Sequence, residues 1–355
     1  MNQLNYIKQL DGLRFYSILA VMLAHWIHSK YTYFGGLGVI VFFVLSGYLI
    51  TRILLLIKER HPDKLSASLF KVFYIRRALR IFPIYFISIM LLYYAGLPDI
   101  KTYFGWLLSF TVNIKFFIDN NFYGSIGHLW SLSVEEQFYL FYPFLILWIS
   151  NRYLFPLLLL MAVVGVLTRF ILFMFDFGLI SQATFTLCAF DSLAIGGILA
   201  YFELYRKQLL IKLVDDYKKV WLLVLALFMI CYIFFIAKSI LIHEFFNAYI
   251  LIFSRLFISL LAFYLIAAAI LGRDNNYKSY FENKYIVYLG KISYGMYFYH
   301  LFVQRAIDYL IRQIYPVNNQ YVMFSLYFLA TVMFSMLSWK YLESPINNLK
   351  TKFNY

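Results

Sequence analysis

The sequence is poor in charged residues and in long polar stretches. Only 14% of its residues are charged and 63% are hydrophobic, whereas about 25% of residues are charged in an ordinary soluble domain. The 355 residues would suit two soluble domains. Apolar runs nevertheless recur from Leu13 to Leu342, with no polar stretch long enough to form such a domain. This composition excludes a soluble fold and predicts one membrane domain over residues 1–355.

Cysteine is also scarce. Cys188 and Cys231 both lie inside apolar runs, so neither a disulfide framework nor a thiolate metal site is indicated. We expect both to be packing residues, and we expect no metal site. A cleavable leader is not indicated either, because His25 and Trp26 interrupt the first apolar run and no small-residue cleavage site follows it. We therefore expect the first run to be a retained helix.

What the chain has in abundance is apolar runs long enough to cross a bilayer, which takes about 20 residues. They predict an all-α, polytopic bundle of about ten transmembrane helices, and we find no internal repeat. The runs lie near residues 13 to 28, 35 to 57, 81 to 97, 128 to 150, 153 to 175, 183 to 204, 219 to 237, 247 to 271, 285 to 311 and 321 to 342.

The net charge of +14 could indicate a nucleic-acid partner or anchoring of cytoplasmic loops in a membrane. With alternating spans, a cytoplasmic N-terminus and charges near span ends assigned to the adjacent side, the opposite side receives only Lys30, Lys101, Lys115, Lys238, Arg305 and Arg312, and Arg169 and Arg255 are left inside spans. All other lysines and arginines lie on the cytoplasmic side. The positive-inside rule therefore predicts that both termini are cytoplasmic, with membrane lipid and not nucleic acid as the partner of the excess charge.

Arg14 and His25 are the first ionisable residues of a predicted span, and such residues are candidates for function. Eleven residues of helix make three turns plus about 20° and rise about 16 Å, so the two side chains share one face. Arg14 would lie near the cytoplasmic headgroups and His25 deep in the membrane. The alternatives are a snorkelling arginine at a helix end and a structural histidine.

Adjacent carboxylates occur at Glu135 and Glu136, inside the fourth predicted span. Adjacent helical residues point about 100° apart, so both cannot address one site equally. A buried carboxylate beside a histidine can orient the imidazole and stabilise its charged form. A structural salt bridge is the alternative.

Arg77 and Arg80 are three residues apart and share one helical face before Pro83. Two guanidinium groups there suit a phosphate-bearing ligand, and the alternative is anchoring to lipid headgroups. They end a basic hydrophilic segment that begins at Thr51. A second hydrophilic segment, 98–127, is expected to cover the outer face as a loop or partial helix.

Three further features stand inside predicted spans. The small residues Gly35, Gly36, Gly38, Ser46 and Gly47 indicate close helix packing. Asp191 is a buried carboxylate for which we expect an arginine or hydroxyl partner. His300 lies in the middle of its predicted span and is a further candidate.

Taken together, these segments resemble the acyltransferase-3 family of bacterial integral membrane proteins. Order and spacing hold from one end of the chain to the other, which makes the set specific where a single motif would be weak. The matching segments are Leu10–Arg14 with ten residues before His25, Val41–Ile50, Arg77–Pro83, Trp130–Tyr139, Ile292–Tyr297 leading to His300, and Glu343–Pro345.

The resemblance implies an O-acetyltransferase that moves an acyl group, usually acetyl, from cytoplasmic acyl-CoA to a hydroxyl of an extracytoplasmic or lipid-linked sugar. Such enzymes act in surface polysaccharide O-acetylation at the bacterial inner membrane. Acyl-CoA is then a donor substrate, and no bound cofactor is expected. The family's arginine and histidine of the first helix correspond to Arg14 and His25, and its paired arginines to Arg77 and Arg80, which now favours CoA phosphates over lipid.

The resemblance completes a set of site residues. His25 and Glu135 are the predicted catalytic pair, with Glu135 orienting His25, and Arg14, Arg77, Arg80 and His300 are predicted to bind acyl-CoA or the acceptor. One departure is Ile40, where many relatives carry an aspartate. Some relatives also carry an additional C-terminal esterase-like domain, and we expect none in this chain, which ends at Tyr355.

Two other functions fit ten spans with internal ionisable residues. A transporter or flippase of a lipid-linked sugar is the main alternative, although carriers of that type often show two related halves and none are found here. A polysaccharide polymerase or non-catalytic binding protein is the second alternative.

Overall fold

The computed structural model describes residues 6–27, 34–61, 67–226, 243–272, 275–314 and 319–353. These residues form helices and connecting turns, with no strand among them, which confirms the predicted all-α class. The long helices are α1 (Lys8–Trp26), α2 (Phe34–Arg60), α3 (Ala67–Tyr94), α4 (Trp130–Trp148), α5 (Asn151–Met174), α6 (Phe190–Tyr205), α7 (His243–Leu271), α8 (Ser293–Ile314) and α9 (Gln320–Ser338).

Five helical stretches in the described part of the chain are long and apolar enough to cross a membrane. They are Gly36–Arg60, Asn151–Met174, Thr186–Tyr205, Ile252–Leu271 and Gln320–Lys352. The predicted number of about ten is not established by this criterion. Some predicted spans carry charge within the helix, as α1 does at Asp11 and Arg14, and the predicted span 219–237 extends beyond residue 226, outside the described residues.

One predicted hydrophilic segment is largely helical, and one predicted span has a wrong boundary. In the basic segment from Thr51 to Arg80, α2 continues to Arg60 and α3 begins at Ala67 and passes through Pro83, which agrees with the shared helical face of Arg77 and Arg80. The predicted span 285–311 is interrupted, because a short helix, Lys284–Lys291, ends at Ile292 before α8 begins. In both places amphipathic helix precedes the apolar run, and a search for apolar runs does not detect it.

Glycines bring α2 close to its neighbours. A Cβ atom on Gly38 would overlap the carbonyl oxygen of Ser17 on α1, and one on Gly47 would overlap the carbonyl oxygen of Leu193 on α6. These contacts confirm the predicted close packing at both positions. A Cβ atom on Gly36 would meet nothing within 4 Å, so that glycine does not mark a close approach.

A buried charge network joins α5, α6 and α7. Arg169 donates to Asp191 Oδ2 at 2.6 Å, and these side chains are only 2% and 0% exposed. Arg255 donates to the carbonyl oxygens of Cys188 and Ala183. Cys188 belongs to the 3₁₀ turn Thr186–Ala189 that precedes α6, and Arg169 also donates to its carbonyl oxygen. The network supplies the expected arginine partner for Asp191, and Cys188 is a buried packing residue.

The segment between α3 and α4 is mostly helical, as the expectation of a partial helix allowed. It comprises the short helices Pro98–Thr102, Phe104–Leu108 and Val112–Asp119, followed by the 3₁₀ helix Gly124–Leu129.

Asp99 fastens this segment to α8. Its carboxylate accepts hydrogen bonds from the backbone N–H and hydroxyl of Ser125 and from Arg305. Burial alone would raise the pKa of Asp99, but the bonds from Ser125 and the guanidinium of Arg305 outweigh it and hold the pKa below its ordinary value. The same 3₁₀ helix carries His128, so this anchor fixes the position of His128 against α8.

Candidate active site

A cavity of about 320 Å³ lies among α1, α2, α3, α4, α8 and the segment that follows α9. Its lining combines apolar side chains of α2 with a concentration of charge. The charged residues that line it are Asp11, Arg14, Arg77, Arg80, Glu135, Lys291, Glu343 and Lys350. Cations outnumber carboxylates in this set, so an anionic ligand is favoured.

Arg14 is held at the cavity by Asp11. The two form an ion pair one helical turn apart on α1, and Asp11 also accepts a hydrogen bond from the Tyr6 hydroxyl. The Asp11 side chain is buried. Arg14 is therefore oriented toward the cavity instead of extending freely along the helix surface.

Arg77 and Arg80 both line the cavity, as expected of residues that share one helical face. The Arg77 guanidinium lies 4.6 Å from the centre of the Tyr139 ring, in the range of a cation–π contact. Arg80 is exposed. Their side chains lie at a ligand-sized space, which favours the interpretation of these residues as ligand-binding over lipid anchoring.

Two cations of the cavity were missed by the sequence analysis. Lys291 precedes the break at Ile292, and Lys350 lies in the 3₁₀ turn Leu349–Lys352. Arg76 on α3 donates to the carbonyl oxygens of Lys350 and Phe353, which fastens the C-terminal segment at the cavity. Both lysines were only assigned to the cytoplasmic side, and no local motif marks them as neighbours of Arg77 and Arg80.

Glu135, and not Glu136, lines the cavity. Ser46 Oγ donates to Glu135 Oε1 at 2.8 Å, and the Tyr139 hydroxyl lies 2.8 Å from Ser46 Oγ and 3.3 Å from Glu135 Oε2. These contacts connect α2 and α4. The divergence predicted for adjacent carboxylates is therefore found, and the glutamate that faces the cavity is identified.

His25 and His300 form a hydrogen-bonded pair. His25 Nδ1 lies 2.8 Å from His300 Nε2, and the rings are nearly parallel, with centres 5.0 Å apart. His300 Nδ1 lies 2.6 Å from the carbonyl oxygen of Tyr297. His300 is completely buried within the protein, whereas the His25 side chain is exposed in the last turn of α1.

A third histidine joins this pair. The His128 ring centre is 4.7 Å from that of His300, and His128 Nε2 donates to the carbonyl oxygen of Phe298 at 2.9 Å. In the described ranges, no group of three His, Cys, Asp or Glu side chains is arranged to hold a metal ion. His128 was not predicted to be a site residue, although it lies two residues before the segment Trp130–Tyr139 that contains Glu135.

The predicted site residues thus fall into two groups, separated by Tyr297. Arg14, Arg77, Arg80 and Glu135 line the cavity, whereas His25 and His300 do not. The Tyr297 side chain lines the cavity, and its hydroxyl lies 2.5 Å from Ser131 Oγ and 2.9 Å from the carbonyl oxygen of His128.

The partner predicted for His25 is not the one found in the structure. Glu135 contacts Ser46 and Tyr139, and the hydrogen bond of His25 runs to His300. Glu135 was expected to orient His25 because a buried carboxylate beside a histidine can do so, but the two side chains are not hydrogen-bonded to each other. Ile40, where an aspartate was noted in relatives, is a buried apolar residue here.

This arrangement has two chemical capacities. The cavity can hold an extended anion with an apolar portion, because guanidinium and ammonium groups lie beside Val39, Phe42 and Leu45. The exposed imidazole of His25 can accept a proton or attack an electrophile. Both capacities occur along α1, which carries Arg14 and His25.

Comparison with known proteins places this arrangement in a family. A family model described as an acyltransferase domain matches residues 7–340. A protein of Staphylococcus aureus strain COL, named provisionally as an O-acetyltransferase, is 29% identical over an alignment of 372 positions that covers 97% of this chain and 58% of the relative. The chain thus spans little more than half the length of such curated relatives. No solved structure matches the chain.

Two further relatives carry more specific names. The O-acetyltransferase OatA of Staphylococcus aureus strain NCTC 8325 is 27% identical over 369 residues, covering 96% of this chain and 57% of the relative. The peptidoglycan O-acetyltransferase OatA of Listeria monocytogenes strain EGD-e is 38% identical over 178 residues, covering 45% of this chain and 27% of the relative. Because the family match extends over nearly the whole sequence, the chain belongs to the acyltransferase family that its motifs indicated.

Proposed function

We propose that this protein transfers an acyl group, in the first instance acetyl, from acyl-CoA to a hydroxyl of a cell-envelope sugar. The observation that carries the proposal is the cavity. It gathers Arg14 from α1 and Arg77 and Arg80 from α3, together with Lys291 and Lys350. Membership of the acyltransferase family supports the reaction class.

The cations of the cavity match the phosphate groups of CoA. Guanidinium groups donate two parallel hydrogen bonds to phosphate oxygens, and lysine adds point charge. Arg77 and Arg80 come from one face of α3, while Lys350 comes from the segment held by Arg76. Several cations around one space suit a ligand with several phosphates better than a single lipid headgroup.

The apolar lining and the length of α1 suit the rest of the donor. Val39, Phe42 and Leu45 of α2 line the cavity and offer a surface for the pantetheine arm. Eleven residues of helix separate Arg14 from His25, a rise of about 16 Å, which an extended arm can cover. Tyr297 lies between the cavity and the histidine pair, so the arm would pass this side chain to bring the thioester to His25.

His25 would serve the chemical step in one of two ways. As a general base, it takes the proton of the sugar hydroxyl while the hydroxyl oxygen bonds to the acyl carbon, the C–S bond breaks, and the CoA thiolate receives the proton. As a nucleophile, it accepts the acyl group from the thioester and passes it to the hydroxyl. Both routes leave free CoA and an ester.

For the acceptor, the names of the relatives provide the closest guide. The Listeria relative is named a peptidoglycan O-acetyltransferase, and we propose an acceptor of that class, a glycan outside the cytoplasmic membrane. The protein would be a multi-pass protein of the bacterial inner membrane with both termini cytoplasmic, because the excess of lysine and arginine falls on the side of the termini. The donor then binds from the cytoplasm.

Transfer of label tests the proposal. Membranes containing the protein are incubated with radiolabelled acetyl-CoA and peptidoglycan, and released glycan fragments are analysed by mass spectrometry for the added acetyl mass. We expect labelled ester with the unmodified chain and its loss with His25→Ala. His61→Ala, at the end of α2 and outside the cavity, is the matched histidine control. Full acetylation by His25→Ala would overturn the mechanism, and a glycan export defect without label would favour a flippase.

A further inference from the structure

His300 is the group that the proposed reaction does not yet use. It is completely buried, it lies against an exposed histidine, and it is removed from the cavity that would hold the donor. It does not line that cavity. Its hydrogen bonds run to His25 and to the carbonyl oxygen of Tyr297, and they bear on where the proton of His25 resides.

The positions of the protons on His300 and His25 follow from one hydrogen-bond acceptor, the carbonyl oxygen of Tyr297. The carbonyl oxygen of Tyr297 cannot donate, so the 2.6 Å contact requires a proton on His300 Nδ1. Neutral imidazole has one N–H, and His300 Nε2 is then an acceptor. The 2.8 Å contact with His25 requires, in turn, that His25 Nδ1 carries its proton. His25 Nε2 is left with a free lone pair.

A neutral His300 is the form that its surroundings support. The titratable groups that face it are His25 and His128, and no carboxylate is among its contacts in the part of the chain that the structure describes. A buried cation without a charged partner is costly. The hydrogen bonds therefore run in one direction, from His25 through His300 to Tyr297.

We infer that His300 is a positioning residue, which holds His25 in the tautomer whose Nε2 is the reacting atom. The inference rests on the proposed function. Without His300, the single proton of His25 could occupy Nε2 and block the atom that must accept the sugar proton or the acyl group. The arrangement follows the logic of catalytic triads, where a buried partner fixes the tautomer of the histidine. Here the buried partner is a neutral histidine backed by a carbonyl group.

The same chain of bonds stabilises the charge that forms in the reaction. When His25 Nε2 takes the proton of the hydroxyl, its Nδ1–H becomes a stronger donor to His300 Nε2. His300 in turn donates to Tyr297. The proton on Nε2 is then returned to the departing thiolate, so the pair ends in the state in which it began.

Tautomer assignment by nitrogen NMR tests the inference directly. The whole chain, labelled with isotope-enriched histidine in nanodiscs, is compared with His25→Ala to assign the resonances of His25. We expect protonated Nδ1 and bare Nε2 in the unmodified protein, and protonation of Nε2 in His300→Phe. His128→Phe replaces a buried imidazole that contacts the His300 ring but does not bond His25, and it should leave the tautomer unchanged. Protonated Nε2 in the unmodified protein, or an equal shift in His128→Phe, would overturn the inference.

Kinetics of acetyl transfer give the second readout. His300→Phe should lower kcat on the order of 10²-fold and leave KM for acetyl-CoA unchanged, because the cavity is not altered. His300→Gln places an oxygen acceptor where Nε2 stood and should restore most of kcat, whereas His300→Asn should not. Equal losses in all three variants, each checked for folding by thermal unfolding, would contradict a positioning role.

Failure of the proposed function would look different. If the unmodified protein shows the expected tautomer but transfers no acetyl group, the proposed reaction is wrong and the positioning role falls with it. If transfer occurs and His300→Phe retains the full kcat, only the inference about His300 is wrong.

Discussion

Arg77 and Lys350 line the same cavity, although one lies in the first third of the chain and the other close to Tyr355. The guanidinium of Arg76, the neighbour of Arg77, holds the C-terminal segment by its backbone oxygens. Two distant basic segments thus converge on one space. If that space holds the phosphates of CoA, both segments must contribute to donor affinity.

Arg80→Gln and Lys350→Gln should each raise KM for acetyl-CoA. A hydrogen bond to a charged group contributes about 1.5–3 kcal/mol, so we expect an increase of roughly tenfold or more for each. Steady-state transfer at varied acetyl-CoA concentration measures it. The same measurement with acetyl-dephospho-CoA, which lacks the ribose phosphate, shows which cation recognises that phosphate. Substitution of the cation that binds the ribose phosphate should make KM for acetyl-CoA equal to KM for acetyl-dephospho-CoA.

Lys71→Gln is the matched control for this pair of variants. Lys71 is exposed on α3 and does not line the cavity, so its loss should leave KM unchanged. If Lys71→Gln raised KM as much as Arg80→Gln did, the increase would reflect a general attraction of basic residues for the membrane or the donor. Binding of the donor in the cavity would then not explain the increase in KM.

Glu135→Gln should reduce kcat less than His25→Ala does. The carboxylate contacts hydroxyl groups of Ser46 and Tyr139, and the amide oxygen of glutamine can still accept from them. Measurement of kcat for both variants at saturating acetyl-CoA decides the point. A loss as large as that of His25→Ala would mean that the negative charge of Glu135 takes part in the reaction.

The division of the site into two groups explains which contacts between site residues could be predicted from the sequence. Arg77 and Arg80 lie on one helix, so their shared face follows from their spacing. The pairing of His25 with His300 joins α1 to α8, and no local spacing encodes it. Glu135 was expected to contact His25 because a buried carboxylate beside a histidine can orient the imidazole, but the packing of α4 turns Glu135 toward Ser46 on α2.

The same limit applies to the fold. Apolar length identified the long helices, since each needs only local composition. The break at Ile292 and the early start of α3 at Ala67 lie in amphipathic sequence, which composition does not separate from a loop. Gly38 and Gly47 were identified as close contacts by residue type, but Gly36, of the same type, faces open space.

Asp191→Asn should destabilise the protein strongly. It leaves the guanidinium of Arg169, with 2% of the side chain exposed, without its anionic partner, and removal of one partner from a buried ion pair costs about 3–5 kcal/mol. Thermal unfolding in detergent should show a markedly lower Tm. Asp176→Asn, at an exposed position after α5, should leave Tm unchanged, and equal effects of the two substitutions would contradict the role of the buried pair.

The anchor at Asp99 predicts a dependence of stability on pH. The hydrogen bonds from Ser125 and Arg305 hold the pKa of Asp99 below its ordinary value in the folded protein, so the unfolded chain binds its proton more readily. The stabilisation is therefore present above the ordinary aspartate pKa of about 4 and is lost as the pH falls toward the lower folded value.

Asp99→Asn should consequently lower Tm at neutral pH, and the difference from the unmodified protein should shrink as the pH is reduced below about 4. Asp216→Asn, at an exposed position after the helix Lys207–Asp215, serves as the control and should show little difference at any pH. A constant difference for Asp99→Asn across this range would mean that the amide changes packing of the segment and that the charge of Asp99 does not anchor it.

Loss of the Asp99 anchor should also affect the histidine pair, because the same segment carries His128 against α8. Asp99→Asn should therefore lower kcat of acetyl transfer at neutral pH.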